Sequence, residues 1–450
     1  MQNNNDGNTL LHVAISENSV EVVQLLIKYG ADIHAVDRYG YTPLHSTAMD
    51  DAANIIDILL KNGANIDALN NEANTPLHIA ISNRSFDATR LLIKHGANIH
   101  AVNDKGRTPL YFAARYDAAD VIEILLSNGA DIHAQDDKGN TPLHVAAEER
   151  SFDAIRLLIK NGASIEAVNS EGNTPLHLAA LDNSYDLIQL LIEHSANIHA
   201  VNNKGDTPLH VAALKRSYGT IQLLIKNGAN IDAVNDEGNT ALHVAALNYS
   251  HRVMGLLIDN GANLTITNDD NEIAFDCAIA QGITDLDLAI IMNDITKVQQ
   301  IIADNNNDTE LKNHEDDTPL ITAVFVGRFE IVQFLISKNA DVNALDKWRS
   351  TSLHIAAIYS DHKIVQELIL HHANANLQDY CINSPLHYAV MYDSIEIVQE
   401  LLNAQANVNA INERNQTALD CAMDYKKSSE IISLLKNYGA LIAPVQSENK

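Results

Sequence analysis

Gly40-Tyr41-Thr42-Pro43-Leu44-His45 decides how this chain folds. Thr is a good helix N-cap, and a Pro directly after it occupies the first helical position, where its missing N–H costs nothing. Thr-x-Leu begins at Thr9, Thr42, Thr75, Thr108, Thr141, Thr174, Thr207 and Thr240, each step 33 residues. Varied copies follow at Ile273 and then at Thr318, Thr351, Ser384 and Thr417, the last four again 33 apart. Only the interval from Ile273 to Thr318, at 45, breaks the rule. A fixed period of this length means an array of stacked units rather than a set of independent domains.

Each unit reads in the same way. A short first helix follows the Thr, with apolar residues such as Leu44 and Ala48 at helical spacing. A polar break, Ser16-Glu17-Asn18-Ser19 in the first copy, leads to a second helix from Val20 to Tyr29. Gly30 then supplies a residue that accepts the left-handed conformation ending a helix. Ala31-Asp32-Ile33-His34-Ala35 runs extended to a turn near Gly40. Helices this short cannot bury their apolar faces alone, so neighbouring units must stack. Composition agrees: hydrophobic residues make up 46% but aromatics only 5%, so the core is Leu, Ile, Val and Ala.

Composition also excludes function classes. With 30 Lys and Arg against 58 Asp and Glu, the formal charge is −28, the wrong sign for gripping nucleic-acid phosphates. No apolar run approaches the roughly 18–20 residues of a bilayer span. Met1-Gln2-Asn3-Asn4-Asn5 lacks the basic and apolar regions of a secretory signal. Three cysteines cannot build a disulfide framework. The expectation is a soluble, acidic, cytoplasmic protein without metal or other cofactor.

Gly-x-Thr-Pro-Leu-His-x-Ala-Ala, the Leu-Leu-Ile-x-x-Gly-Ala-x-Ile helix end and the 33-residue period together resemble the ankyrin repeat, over residues 6–442. The resemblance implies an all-α solenoid of about fourteen units, each an antiparallel helix pair with a projecting β-hairpin, whose concave face binds other proteins. The Asn- and Ile-rich, near-identical units also resemble ankyrin proteins of obligate intracellular bacteria. That likeness implies a host-directed effector, delivered into host cytosol by a non-Sec route.

The irregular interval holds helical pieces at Ala274–Gly282, Leu286–Asn293 and Ile295–Asp304, three where two full units would supply four. Ile273-Ala274-Phe275-Asp276 and Thr417-Ala418-Leu419-Asp420 put Asp in place of the motif His, as closing repeats of the family do. Leu286 to Ile302 looks like an opening repeat without its Thr-Pro cap. The expected division is a regular array over residues 1–284, a second over 285–442, fused through a shared helix, and a tail over 443–450. A single continuous stack with a local kink is the alternative. At the turn before each Thr the first array mostly has Gly, whereas the second has Asp316, Arg349, Ile382 and Asn415. A β-branched Ile is an outlier at positive φ. Two readings stay open: these tips use another turn type, the plainer one, or they hold strain at a functional surface.

Candidate chemistry is sparse. Nine of the twenty histidines are motif copies, and His34, His100, His133 and His199 share one link position; histidines spaced one unit apart cannot share an ion, so the ladder is structural. Cys277 and Cys421 sit at equivalent inner positions of first helices, Cys381 in a tip, and none has a His partner in its motif. Phosphate-loop, zinc-protease, hydrolase and kinase motifs are missing, so the chain is read as no enzyme. The surroundings of Asn343 and Asn409 resemble the site that asparaginyl hydroxylases modify in eukaryotic ankyrin repeats; the plainer reading is that these residues stabilise the links.

Exposed aromatics say more. Tyr359, Tyr392 and Tyr425 lie eight residues after their Thr or Ser and form an expected ladder on the concave side. Trp348 beside Arg349, and Tyr380 in the following tip, add large rings of the kind that anchor interfaces. These six residues are the candidate protein-binding set. Arg84, Arg150 and Arg216, nine after their Thr, are expected to pair locally with Asp117, Glu149 and Asp182. The function read from all this is a monomeric, non-catalytic scaffold for a protein partner with a basic surface. The alternative is a spacer array belonging to a larger multidomain protein whose active domain lies elsewhere.

Overall fold

The computed structural model describes residues 7–181 and 183–443. Among them are fourteen first helices of seven or eight residues and thirteen second helices of nine or ten. Among the described residues the expected projecting hairpins are links without regular strands, apart from isolated bridges at Val234–Thr240 and Thr267–Ile273. The chain divides into two compact units, Met1–Asn230 and Ile231–Lys450.

One side chain both starts a helix and ties it to the next link. Thr42 is extended at φ −80°, and its Oγ1 accepts from the His45 N–H. The Thr42 N–H donates to His45 Nδ1 at 3.1 Å, so Nδ1 is an acceptor and the proton sits on Nε2. Nε2–H then donates to the Asn74 carbonyl at 3.0 Å, 29 residues on. The same bond joins His12 to Tyr41, His78 to Arg107, His144 to Asn173 and His177 to Asp206. In the second unit it joins His243 to Glu272, His354 to Asn383 and His387 to Gln416. Around these links the core is aliphatic, with Leu44, Ile55, Ile56, Leu59, Leu77 and Leu92 fully buried.

Within the second unit the irregular interval resolves into a shortened repeat. From Ile273 to Thr284 is eleven residues, and from Thr284 to Thr318 thirty-four. The helix Asp285–Ile291 is not without its cap: Thr284 caps it, with only the Pro missing. Asp287 replaces the His, accepting from the Thr284 hydroxyl at 2.7 Å and from Thr322 at 3.0 Å. This helix packs on His251–Asp259 as a second helix would, and on Pro319–Val326 as a first helix would. Arg328, buried, binds both Asp259 carboxylate oxygens, at 2.9 and 2.7 Å, and the Ile291 carbonyl. Gly255 permits the approach: a Cβ there would lie 2.7 Å from Val326 Cγ1.

The second-array tips do not use another turn type. Asp316, Arg349, Ile382 and Asn415 have φ of 63°, 61°, 59° and 57°, the same left-handed region as Gly40 at 79°. Ile382 N–H closes on the Asp379 carbonyl at 3.0 Å, as Gly40 N–H closes on Asp37 at 3.1 Å. The geometry is imposed by the aspartate ahead of it, so a β-branched side chain is held where it costs roughly 1–2 kcal/mol.

Two predictions follow from these links. Burial keeps eight motif imidazoles below their ordinary pKa of 6.5, His78 at about 4. The unfolded chain therefore binds more protons below pH 6.5, and stability, full above that pH, falls as pH drops toward about 4. Asp50, Asp317 and Asp346 are shifted upward and oppose this, but three carboxyls do not outweigh eight imidazoles. Melting curves between pH 8 and pH 4.5 should show a flat midpoint above 7 and a steep decline below 6.5. Separately, Ile382→Asn should raise stability by about 1 kcal/mol, read by urea denaturation; an unchanged or lower midpoint would mean the tip carries no strain.

Candidate functional site

The second unit presents Trp348 and Tyr380 on tips held by half-buried and buried carboxylates, and Tyr359, Tyr392 and Tyr425 at the ends of first helices. Asp346 accepts from the Trp348 and Ser350 N–H groups at 2.8 and 2.7 Å. In the next tip Asp379 accepts from the Asn383 N–H at 2.9 Å and from the Tyr388 hydroxyl at 2.5 Å. The Tyr380 N–H donates to the Trp348 carbonyl at 3.0 Å, joining the two tips. Trp348 is 62% and Tyr380 63% exposed, with Arg349 exposed beside them. Lys347 covers one face of the indole, its Nζ 5.3 Å from the ring centroid, and forms an ion pair with Glu315.

The three-membered tyrosine ladder is not uniform. Tyr392 and Tyr425 are 54% and 49% exposed, and no ring contact joins them among the described residues. Tyr359 is half-buried, with the Arg252 guanidinium 3.7 Å over its ring and Phe325 edge-on at 5.3 Å. The structure thus brings Trp348, Arg349 and Tyr380 together, leaves Tyr392 and Tyr425 open, and packs Tyr359 into the fold. Arg252 escapes a sequence reading because it reaches Tyr359 across the shortened repeat, where the 33-residue register fails, whereas Phe325 comes from the adjacent repeat.

Carboxyl groups crowd the base of these tips. Burial pushes Asp317 up to about 7, reinforced by the charges of Asp346, Asp287 and Asp316. Asp346 is raised as well, chiefly by burial. Nearby, the Tyr249 hydroxyl meets His314 Nδ1 at 2.7 Å. Such a site favours cations over anions and hydrogen-bond donors over acceptors.

Arg84 does not pair with Asp117; its guanidinium donates to the Tyr116 carbonyl at 3.3 Å. Glu149 pairs with Arg115 at 2.7 Å, and Asp117 accepts from the Ala154 N–H at 2.7 Å. Arg84, Arg150 and Arg216 share a left-handed backbone at the interhelix turn; Asp182 lies outside the described residues. Cys277 and Cys421 are buried, their thiols pushed up to about 11 by burial first, and Cys381 is exposed. Asn343 Oδ1 accepts from the Asn374 N–H at 2.8 Å and Asn409 Oδ1 from the Leu441 N–H at 2.7 Å, so both side chains tie links together. No described helix is long and apolar enough to cross a membrane.

Comparison with known proteins agrees with this architecture. A family model described as ankyrin repeats (3 copies) matches residues 1–70, 53–136, 129–202, 194–268, 286–379 and 353–444. The unmatched stretch between 268 and 286 contains the first helix that has no second helix of its own. Over 73 residues the chain is 40% identical to alpha-latrotoxin-Lg1a of Latrodectus geometricus, a match covering 16% of this chain and only 5% of the toxin. Repeats of this kind form a protein-interaction module, and with matches along nearly its whole length the chain belongs to the ankyrin-repeat family.

Proposed function

We propose that this chain is a non-catalytic scaffold that captures a protein partner through Trp348, Arg349, Tyr380, Tyr392 and Tyr425. In this reading residues 285–442 make the contact and residues 1–284 act mainly as the holder. The observation that carries it is that a chain with 5% aromatic residues leaves Trp348, Tyr380, Tyr392 and Tyr425 about half exposed or more. Large rings with few rotors lose little entropy when covered and remove much apolar area from water. The tips are already ordered by Asp346 and Asp379, so association need not fix a flexible loop. A basic partner surface is favoured by the −28 charge and by the carboxyl groups under the tips.

The test is affinity capture with the full chain and with a Trp348→Ala, Tyr392→Ala, Tyr425→Ala variant. The variant should lose the captured protein while its far-UV spectrum and melting temperature stay unchanged, because these rings are exposed. Capture by the parent should also weaken as salt is raised, since exposed charges are screened. Undiminished capture by the variant would overturn the assignment. Tyr359→Ala is a poor probe, because removing a ring packed on Arg252 and Phe325 lowers stability whether or not it binds.

A further inference from the structure

The first unit carries a second surface that the aromatic site does not use. Its links alternate with period two: Asp32, His34, Val36 and Arg38 are exposed while Ile33, Ala35 and Asp37 are partly covered. At the third of these outward positions stand Val36, Leu69, Val102, Val168 and Val201, each between 51% and 58% exposed. Folding does not require them, because Gln135 occupies the same position, also exposed. One exposed valine needs no explanation, but five in one file form an apolar strip of the kind that marks contact sites.

The file is rigid. Each tip donates a backbone hydrogen bond to the one before it: Asn71 to Tyr39 at 3.1 Å, Asp104 to Glu72 and Asp137 to Lys105 at 3.0 Å. Ser170 to Lys138 and Asn203 to Glu171 continue the series at 2.9 and 3.0 Å. Neighbouring positions of the file are therefore fixed one packing distance apart, roughly 8–10 Å, with Gln135 as a polar break between Val102 and Val168. Beside Val102 opens a cavity of about 160 Å³, walled by Ile99, Leu110, Ala130 and Ala134, with His100, Thr108 and Asp131 completing its lining. It is large enough to admit an aliphatic side chain. The outward positions flanking the file carry Asp32, Asp67, Asp104, Asp131, Asp137 and Glu166 against one guanidinium, Arg38; one residue further along the tips stand Lys105, Lys138 and Lys204 with Glu72 and Glu171.

Spacing selects the shape of the occupant. In an α-helix, residues seven apart lie on nearly one face and about 10.5 Å apart, close to the repeat distance. In an extended strand, same-face residues recur at roughly 6.7 or 13 Å, and neither fits. We propose that this aliphatic file is a docking surface for an amphipathic helix with an aliphatic residue at every seventh position and Lys or Arg alongside. One of its aliphatic side chains enters the cavity beside Val102.

The probe is a fluorescein-labelled, Lys-rich helical peptide of about 28 residues, with Leu at every seventh position, titrated with the full chain by fluorescence polarisation. Saturable binding is expected, weakened about tenfold by Val102→Gln with Val168→Gln and unaffected by Trp348→Ala with Tyr392→Ala. Gln is already tolerated at residue 135, so the variant keeps its fold, which circular dichroism checks. The proposal fails if the peptide does not bind, if the Gln variant binds equally, or if a control peptide with Ser for Leu binds as well. Tighter binding of a polyproline peptide with Leu at every third residue would assign the strip to another ligand shape. A dimer of the chain that the Gln variant dissolves would assign it to a second copy. Loss of binding in the Trp348 and Tyr392 variant would move the peptide to the aromatic face instead.

Discussion

The structure depends on a neutral imidazole that bonds in two directions. His45 Nδ1 accepts from the N–H of the residue capping its own helix, and Nε2–H donates to a carbonyl of the following link. Only a ring with one acceptor and one donor, about the width of the gap, can do both. Because each first helix has only seven or eight residues, it would not persist in water alone. The same bond that ends this isolation sets the position of the next unit. Local helix initiation and long-range stacking are therefore one event, repeated along each unit.

Several copies depart from this rule, some in the irregular interval and some within the regular spacing. Asp276, Asp287 and Asp420 can accept from the cap but, ionised, cannot donate to a following carbonyl. At Asp287 the polarity of the contact is reversed, with Asn313 and Thr322 donating to it. At Asp420 the same Oδ2 that accepts from Thr417 also accepts from the Ala443 N–H, which folds the end of the described chain back on itself. In the repeat that holds Tyr111 the cap survives through Thr108 Oγ1, and Arg107 lies over the phenol ring at 4.9 Å. Where the imidazole is lost, other groups hold the cap, and at Tyr111 the regular 33-residue spacing persists.

Much of this is legible in the chain itself, because a period of 33 converts every local rule into many independent copies. The Thr cap, the Pro after it, the glycine ending the second helix and the three-helix interval can all be read from residue type and spacing. Thr284 as a cap is harder to see, since it stands without Pro or His. The conformation of Ile382 contradicts what its side chain prefers, because Asp379 and the neighbouring tip dictate the backbone there. Arg328 reaching Asp259, 69 residues away, and Arg252 covering Tyr359 are consequences of the shortened repeat, which breaks the register used to infer neighbours. The aromatic tips and the aliphatic file differ in the same sense: the residues are visible in the sequence, whereas their exposure is known only once the links are placed.

Both proposed surfaces presuppose that the links are fixed by the imidazole bonds, so the protonation state of those rings is the most direct test. Long-range nitrogen–proton NMR on histidine-labelled protein distinguishes the two neutral tautomers and the cation for each ring. The motif rings, His45, His78 and His354 among them, should show the Nε2–H neutral form at pH 6. Motif rings that titrate near 6.5, or that carry the proton on Nδ1, would contradict the account.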